Sequence, residues 1–450
     1  MEKTSGSSPS SAPRLRRALT LWDLILYGVI VIQPTAPMSV FGVLSDRGHG
    51  HVVTAILIAM IAMLFTAISY GRMARAYPSA GSAFTYVGQE INPALGYVTG
   101  WSMAMDYMLN PLICIIWCSK AAMNLAPGVP YWTWAIFFFL LFTTLNLRGI
   151  KTSARINAGL AAGMGVVIAI FFIAAARYIF GHQHDGAGFF TRPFYDPETF
   201  QLRAVLGGTS IAVLTYIGFD GISTLSEEAE NPRRNILLAT VLTCLVIGIL
   251  SAVEVYAAQL VWSASQPFPD TDTAYVHVAG RAAGSWFFLV VNLTLMAANF
   301  GSGMGAQLGA ARLLYGMGRS NALPSSFFGA VDPKRQIPRN NVIFVGVAAL
   351  LGAFVLSYAL GAEMLNFGAL IAFMGVNAAA LTRYYLRAKE KKLGNLIPPV
   401  AGFFICLLLW LNLSRPAKIA GTTWMAAGIA FGAWKTRGFR ANLVDFGLPE

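Results

Sequence analysis

Apolar runs of about 20 residues follow one another along nearly the whole chain, and short polar connections separate them. An apolar run of about that length, coiled as a helix, crosses the hydrocarbon core of a bilayer. A membrane barrel would instead show short segments of alternating polarity. The pattern therefore predicts an all-α polytopic membrane protein with about 12 transmembrane helices.

The same pattern divides the chain into regions. A disordered tail at 1–18 precedes a helical core at 19–387, and two additional helices at 388–435 precede a second tail at 436–450. An amphipathic piece is expected near 82–92. The predicted spans are 21–44, 51–70, 95–125, 131–147, 156–180, a sixth that begins near 203, 236–262, 285–317, 342–360, 365–385, 396–413 and 417–434.

The sixth span is irregular at its centre, where Gly218, Asp220 and Gly221 interrupt an apolar helix. An interior glycine costs a helix about 1 kcal/mol, and an acid at bilayer depth is also costly. Unpaired backbone is tolerated at that depth only inside protein or beside a cavity. The pattern predicts a broken helix whose backbone and carboxylate face a cavity. A kinked structural helix capped by Asp220 is the alternative.

The first span carries a second break, in the stretch 33–37. Pro34 and Pro37 lack backbone donors and cannot both occupy a regular helix interior. With five spans to a unit, each broken span opens a repeat, at 19–181 and 203–387, and an odd number of spans makes the second repeat inverted. Interrupted segments at corresponding positions of two halves indicate the binding site of a transporter.

Composition and charge agree with a membrane protein. Of the 450 residues, 56% are hydrophobic and 12% are charged, whereas soluble domains carry about 25% charged residues. The net charge of +12 does not indicate nucleic-acid binding, because the basic residues lie in the short connections. About 24 of the 32 Lys and Arg residues fall on one side, which predicts a bacterial inner-membrane protein with both termini cytoplasmic. The stretch 1–18 has no small-residue cleavage site, so we expect a retained tail.

The sequence gives little basis for metal, cofactor or enzyme chemistry. The histidines lie in connections and the cysteines lie inside apolar runs, where Cys114 and Cys118 share a helix face with no His or further Cys beside them. These residues are His49, His51, His182, His184, His277, Cys114, Cys118, Cys244 and Cys406. That arrangement provides neither a metal set nor a clustered catalytic set, and no Gly-x-x-x-x-Gly-Lys-Ser/Thr loop for ATP is present. We expect neither an enzyme nor a bound cofactor. A channel, with a continuous polar lining and flux that does not saturate, is the alternative from another class.

Several motifs together resemble the amino acid–polyamine–organocation permease superfamily. They are Pro78-Ser-Ala-Gly-Ser-Ala-Phe-Thr-Tyr, Gly100-Trp101, Gly218-Phe219-Asp220-Gly221-Ile-Ser, Ser226-Glu-Glu, Asn231-Pro232-Arg233-Arg234, and Ala311-Arg312-Leu-Leu-Tyr-Gly-Met-Gly-Arg319 with Leu323-Pro324. The chain most resembles the bacterial putrescine-importer-type branch, on Gln33-Pro34, Gly71 with Tyr77-Pro-Ser-Ala-Gly-Ser-Ala, Asp106-Tyr107, Lys120, Gly218-Phe219-Asp220-Gly221 and Asn366-Phe367-Gly368-Ala369-Leu370. The resemblance covers nearly all of residues 19–440.

The resemblance implies a leucine-transporter-type arrangement of five-plus-five inverted helices, and proton-coupled uptake or exchange of amino acids or amines. It implies that backbone at 33–37 and 217–221 binds substrate and that Tyr107 lines the pocket. Tyr216 or Phe219 would be an aromatic gate over the substrate. The residues expected to bind substrate are Gln33, Pro34, Thr35, Ala36, Tyr107, Tyr216, Ile217, Gly218, Phe219 and Asp220.

The chain departs from the superfamily pattern in two places. Many members have Gly-Ser-Gly or Gly-Ala-Gly in the first span to receive an amino-acid carboxylate, and this chain has Pro34-Thr35-Ala36. That difference favours a substrate that lacks an α-carboxylate. Some members use a lysine of the fifth span in place of a sodium ion, whereas the matching position here is Met164. Coupling through such a lysine is therefore not expected.

Four charged residues are candidates for carrying a proton: Asp220, Glu254, Asp106 and Lys120. A cation that leaves water needs a fixed opposite charge, so Asp220 is the first choice for a substrate ammonium group. Asp220 is equally a candidate for the coupling proton. Tyr107 with Asp106 is the candidate second contact for a diamine. Glu254, deep in the seventh span, is expected either to pair with Lys120 or to carry a proton.

A set of charged residues near the cytoplasmic mouth suggests an inner gate. Its candidate members are Arg72, Arg75, Arg312, Glu227 and Glu228, with Glu230 beside them. We expect some of them to pair across the mouth and to separate in the inward-open state. Ordinary solvated loop charge is the alternative.

Together these residues predict a secondary active transporter. It would import a small organic amine such as putrescine, or an amino acid, with protons and by alternating access. An amino-acid permease or exchanger is the alternative within the class. We expect the substrate, protons and the lipid bilayer as partners, and no nucleic acid. The sequence leaves the exact substrate, the stoichiometry, import against exchange, and the oligomeric state open.

Overall fold

The computed structural model describes residues 19–77, 82–149, 154–183, 186, 188–226, 228–319, 323–333 and 335–438. Its α-helices are α1 (Leu21–Ile32), α2 (Ala36–Arg47), α3 (Val52–Ala76), α4 (Ser82–Glu90), α5 (Pro93–Leu125), α6 (Tyr131–Leu147), α7 (Ala154–Gly181), α8 (Leu202–Ala212), α9 (Pro232–Val261), α10 (Ala274–Ala283), α11 (Ser285–Arg319), α12 (Ser325–Phe328), α13 (Arg339–Val355), α14 (Tyr358–Leu381), α15 (Leu393–Leu411) and α16 (Arg415–Lys435). Two 3₁₀ segments, Val213–Tyr216 and Phe219–Leu225, follow α8, and a π-helical turn, Thr382–Leu386, follows α14.

The all-α prediction is confirmed. Within the described ranges the only extended pairing is an isolated bridge between Leu19 and Ala229. The predicted amphipathic piece near 82–92 is α4. The predicted tail at 1–18 and most of the predicted tail at 436–450 lie outside the described residues, and the division into two repeats remains a prediction.

Nine candidate membrane spans occur in the part of the chain that the structure describes. Eight are single stretches of sufficient length and hydropathy, and α1 with α2 forms a ninth that bends by 47°. The helices α6 and α13 are apolar but have 17 residues each, and α16 has 21 residues of lower hydropathy. These three lie where the fourth, ninth and twelfth spans were predicted. The total of about 12 spans therefore stays a prediction.

The break in the first span is where the sequence predicts it. Helix α1 ends at Ile32, and Gln33 has a φ of 70°, a value outside the helical region. Helix α2 begins at Ala36, so Pro37 falls in its first turn, where a missing N–H breaks no hydrogen bond. The stretch with the two prolines thus divides the first span into α1 and α2, and does not form a kink within one continuous helix.

The sixth span is broken too, but its second half is not an α-helix. The α-helical pattern stops at Ala212, and Ile217 has a ψ of 129°. Gly218 follows with a φ of 117°, a conformation that L side chains rarely adopt. The chain then continues as the 3₁₀ segment Phe219–Leu225. Gly218 is therefore the residue that permits the break.

One large buried apolar cluster runs through the bundle, in which α3 packs along α9 and α5 packs against α11 and α14. Small residues permit these close approaches. A Cβ added to Gly71 of α3 would lie 2.6 Å from Leu237 Cα of α9. A Cβ added to Gly368 of α14 would collide with the Ser102 carbonyl oxygen of α5.

The two ends of the bundle each contain a buried glutamate, and we name the ends by them. At the Glu90 end lie the start of α1, the end of α3 and helix α4. At the Glu363 end lie the end of α2 and the start of α14. The connection between α9 and α10 also lies at the Glu363 end, next to the last turns of α5.

Candidate substrate site

The two helix breaks touch each other inside the bundle. A Cβ added to Gly218 would lie 3.1 Å from Val31 Cγ1 and 3.5 Å from the Ile32 backbone nitrogen. The break at the end of α1 therefore faces the break after α8. Carbonyl groups at the C-terminal end of a helix carry partial negative charge, which suits a cation.

Side chains of the first break tie it to two neighbouring helices. Gln33 Nε2 donates to the Ala298 carbonyl of α11 at 2.8 Å. Thr35 is buried, and its hydroxyl donates to Met164 Sδ of α7 at 3.6 Å. Met164 thus faces the break through an uncharged atom. Pro34 is buried and Ala36 is half-buried beside them.

Asp220 follows the second break and lies deep among the packed helices. Backbone N–H groups of Asp220, Gly218 and Gly221 face its carboxyl group. The residue nevertheless keeps part of its surface accessible. None of the ion pairs in the described part of the chain includes Asp220.

A second acid lies near Asp220. Asp106 of α5 is equally deep, keeps accessible surface, and lies within electrostatic range of Asp220. Like Asp220, it belongs to no ion pair of the described residues. The site thus holds two carboxyl groups, and among the described residues no lysine or arginine is salt-bridged to either.

Tyrosines surround the two carboxyl groups. Tyr27, Tyr70 and Tyr107 all lie within electrostatic range of Asp220. The ring of Tyr107 packs against α11 where Gly309 leaves room, and a Cβ added there would be 3.3 Å from two ring carbons. Tyrosine faces attract cations and tyrosine hydroxyls accept hydrogen bonds from them. The position of Tyr107 suits a residue that lines this site, and that role remains a proposal.

The two candidates for an aromatic gate differ in their contacts. Tyr216 is fully buried, and its hydroxyl donates to the Ile56 carbonyl of α3 at 3.0 Å. Phe219 is fully buried between Tyr70 of α3 and Phe373 of α14, with ring centroids 5.4 Å from each. Phe219 lies in an aromatic cluster, whereas Tyr216 is fastened to a helix backbone. Ile217, between them, is half-buried.

Lys120 does not pair with Glu254. Its Nζ lies 3.1 Å from Asp270 Oδ2 in the connection between α9 and α10. Lys120 is only five residues from the end of α5 at Leu125, so its long side chain reaches the connection at the Glu363 end. Glu254 is 0% exposed inside α9, and neither of its side-chain oxygens has a hydrogen-bond partner among the described residues.

The predicted inner-gate residues form no ion pairs with one another in the described part of the chain. Arg72 donates to the Gly394 carbonyl at 3.0 Å, and Arg75 and Arg312 are exposed. The backbone carbonyl of Glu228 accepts from the Leu19 N–H at 3.0 Å. Glu227 lies outside the described residues. A gate made of these charges therefore stays a prediction.

Sequence reasoning missed the ion-pair cluster that the Glu90 end does contain. Glu90 is 1% exposed and pairs with Arg383 and with Arg387, the latter at 3.1 Å. The Tyr77 hydroxyl donates to Glu90 Oε1 at 2.7 Å. Burial, and then this hydrogen bond, raises the pKa of Tyr77. The cluster joins the end of α3 and helix α4 to the turn that follows α14. Arg383 lies 293 residues after Glu90 in sequence.

A similar clamp at the Glu363 end was also missed. Arg47 at the end of α2 lies 2.8 Å from Glu363 Oε1 near the start of α14. Glu363 Oε2 also accepts from the Ser414 N–H at 3.2 Å. The sequence does show an acid near the start of an apolar helix, which is a signal for a charged contact, but this signal does not identify the partner residue. Helix α14 is thus fastened by charge at both ends.

No group of three or more metal-ligating side chains occurs among the described residues. The site instead combines broken backbone, two acids and tyrosines, which suits the binding of an organic cation. A family model described as "Amino acid permease" matches residues 24–432. The chain belongs to the amino acid permease family.

Relatives of this permease differ in what they are named for. The low-affinity putrescine importer PlaP of Escherichia coli (strain K12) is 36% identical over 446 residues, which cover 97% of each chain. The branched-chain amino acid permease BcaP of Bacillus subtilis (strain 168) is 26% identical, with 94% of each chain covered. The methylthioribose transporter of the same organism is 25% identical, also over 94% of each chain. This protein is accordingly a permease and not an enzyme, consistent with secondary transport of an amine or amino acid.

Proposed function

We propose that this permease imports a small organic diamine such as putrescine, driven by protons. The observation that carries the proposal is the pair of acids, Asp106 and Asp220, which lie deep in the bundle within electrostatic range of each other and have no salt-bridged lysine or arginine in the described part of the chain. Two like charges in a low-dielectric site repel each other unless a counter-charge or a proton is present. A diamine supplies one ammonium group for each acid.

The substrate-binding residues of this proposal follow the geometry of the two breaks. One ammonium group binds Asp220 and the carbonyl groups at the end of α1, and the other binds Asp106 beside Tyr107. Gln33 and Thr35 hold the break in place through their contacts with α11 and α7. The likeness to the putrescine importer PlaP supports the same substrate class.

Alternating access in this proposal uses the clamps at the two ends of α14. The Arg47–Glu363 pair holds the Glu363 end closed, and the pairs of Glu90 with Arg383 and Arg387 hold the Glu90 end closed. We assign the Glu90 end to the cytoplasm of a bacterial inner membrane, because most of the Lys and Arg residues fall on that side. Each cycle opens one clamp while the other stays formed.

Uptake of labelled putrescine into proteoliposomes tests the proposal. With an inward proton gradient, uptake should saturate, collapse with a protonophore and fall at least tenfold in Asp220→Asn. Glu198→Gln, which changes an exposed acid of the 188–200 connection, is the matched control and should transport normally. If the protein does not transport putrescine, and internal amino acids drive the entry of labelled amino acids, the protein is instead an amino-acid exchanger.

A further inference from the structure

We propose that Glu254 binds the coupled proton, and that a buried polar face of α9 connects it to the surroundings of Asp220. This inference rests on the proposed function, since it names the proton carrier of a proton-driven amine importer. It separates the carrier from the acids that hold the substrate.

A separate proton carrier follows from charge competition in the substrate site. An ammonium group and a proton both neutralise a carboxylate, so Asp220 cannot hold a tightly bound amine and the coupled proton together. The same holds for Asp106 when it binds the second ammonium group. Import of an amine with a proton therefore requires an acid that the amine does not touch.

Glu254 has the burial and isolation that such an acid needs. It is 0% exposed, neither side-chain oxygen has a hydrogen-bond partner, and no ion pair includes it in the described part of the chain. Burying an unpaired carboxylate is very costly, whereas a protonated acid is uncharged. The structure therefore suits a resident proton on Glu254.

Glu254 lies where four helices meet near the Glu363 end. It is seven residues before the end of α9 at Val261, or about 10 Å at the helical rise of 1.5 Å per residue. The hydroxyl of Tyr275 on α10 donates to its main-chain carbonyl at 3.4 Å. The Tyr275 ring in turn contacts Phe41 of α2 and Phe171 of α7. Tyr275 is the titratable side chain that faces Glu254 from a neighbouring element in the described ranges.

Two further buried oxygens without described partners lie on the same face of α9 as Glu254. They are Ser251 Oγ and Thr243 Oγ1. At 100° per residue the three side chains fall within an arc of about 80°, and Thr243 and Glu254 are about 16 Å apart along the axis. Ser251 and Thr243 are about 12 Å apart along the axis. Hydroxyl groups both donate and accept, so this face can pass a proton along when water molecules bridge the interval between them.

The Thr243 end of this face lies near the substrate site. A Cβ added to Gly28 of α1 would lie 2.8 Å from Thr243 Oγ1 and 2.6 Å from Ile222 Cδ1. Ile222 is two residues from Asp220, and Cys244, next to Thr243, lies within electrostatic range of Asp220. The polar face thus extends from Glu254 to the helix break.

The proton balance of a cycle is simple. Glu254 holds its proton while the amine occupies Asp220. When the amine leaves toward the Glu90 end, Asp220 accepts the proton that moves along the α9 face. Asp220 then releases it on the same side and returns to the carboxylate. A proton entering from the Glu363 end restores the acid form of Glu254, so one proton enters and one leaves in each cycle.

The test compares two transport modes of Glu254→Gln in proteoliposomes that contain the full chain. One mode is putrescine accumulation under an inward proton gradient, followed together with acidification of an internal pH dye. The other is counterflow, in which internal putrescine exchanges with labelled putrescine at equal pH. We expect at least a tenfold loss of accumulation and of acidification, with counterflow within about twofold of wild type. Glu198→Gln should leave both modes unchanged.

Thr243→Val gives a second variant of nearly the same shape without the hydroxyl. We expect several-fold slower acidification with counterflow kept, and this result decides the question if Glu254→Gln does not fold. Unchanged acidification in Thr243→Val, or unchanged accumulation in Glu254→Gln, would overturn the inference. So would equal losses of counterflow and accumulation in Glu254→Gln, because a structural defect affects both modes. A wild-type protein that ignores the proton gradient would overturn proton coupling itself, and this inference with it.

Discussion

Arg47 Nη2 lies 2.8 Å from Glu363 Oε1, so the end of the broken first span is joined by charge to the start of α14. Glu363 is buried, whereas the Arg47 side chain is 43% exposed. Water therefore screens the pair from one side, and its rupture during a transport cycle need not be costly. A conformational clamp of this strength can open and close.

Neutralising this clamp should favour opening at the Glu363 end. In Glu363→Gln, Arg47 loses its charged partner. The reporter is Thr35→Cys in a protein without the native cysteines, labelled by a maleimide that cannot cross the membrane. We expect this cysteine to react about two- to fivefold faster when Glu363→Gln is also present. Thr35 is buried at the break in this structure. Lys418→Gln is the control, because Lys418 lies at the same end and its ammonium group bonds the Leu411 carbonyl and no acid of the described residues. Equal labelling in all three backgrounds would show that the pair is not a clamp.

The Glu90 cluster should contribute more to stability. Glu90→Gln removes a buried charge from Arg383, Arg387 and the Tyr77 hydroxyl, and charge-assisted hydrogen bonds are worth about 1.5–3 kcal/mol each at most. We expect a clear fall in the unfolding temperature in detergent. The control is Glu390→Gln, whose partner Lys392 is as exposed as Glu390 itself. A fall of the same size in both variants would contradict the assignment.

Gly218 should be the least replaceable glycine of the sixth span. An alanine there must hold a φ of 117° and approach Val31 Cγ1 to 3.1 Å. We expect the free energy of unfolding to fall by at least about 1–2 kcal/mol, the cost of a left-handed conformation in an L residue. Uptake should be lost as well. The control is Gly207→Ala in α8, where an added Cβ meets nothing within 4 Å. That change should stabilise the helix by up to about 1 kcal/mol. Similar thermal stability in the two variants would refute the strained break.

Asp272 should make stability depend on pH. Burial, and then the Asp270 charge, raises its pKa from the ordinary 3.8 to about 6, against the opposing effect of Lys120. The folded state therefore binds more protons than the unfolded state between about pH 4 and 6, and the stability that this provides is lost as the pH rises through 6. Asp272→Asn should melt above wild type at pH 7.5, and the difference should shrink toward pH 5. A difference that does not vary with pH would contradict this account.

The parts of the fold that depend on local chemistry could be predicted from the sequence. Pro34 and Pro37 remove backbone donors, and Gly218 permits a left-handed conformation, so the sequence predicts both breaks to within a few residues. The sequence did not indicate that the segment after Gly218 would be 3₁₀, because side-chain packing decides between similar helix types.

Partners that are distant in sequence could not be predicted. Glu254 is one predicted partner of Lys120, yet its partner in the structure is Asp270, which lies 150 residues away in a connection. The position of Glu90 beside Arg383 depends on how α4 packs on α14, which periodicity alone does not specify. Helical spacing orders residues within one element, and tertiary packing chooses the residues that meet.

The most direct test of the central claim is whether Asp106 recognises the second ammonium group of a diamine. Labelled putrescine is displaced in turn by unlabelled putrescine and by butylamine, which has the same four carbons and one ammonium group. The ratio of the two displacing concentrations gives the selectivity for the diamine, and it is measured for wild type and for Asp106→Asn. An ion pair in this site is worth at least about 1.4 kcal/mol, or tenfold. The two-acid account predicts that wild type prefers putrescine about tenfold or more, and that Asp106→Asn abolishes the preference while butylamine still binds. An unchanged preference in Asp106→Asn would contradict it.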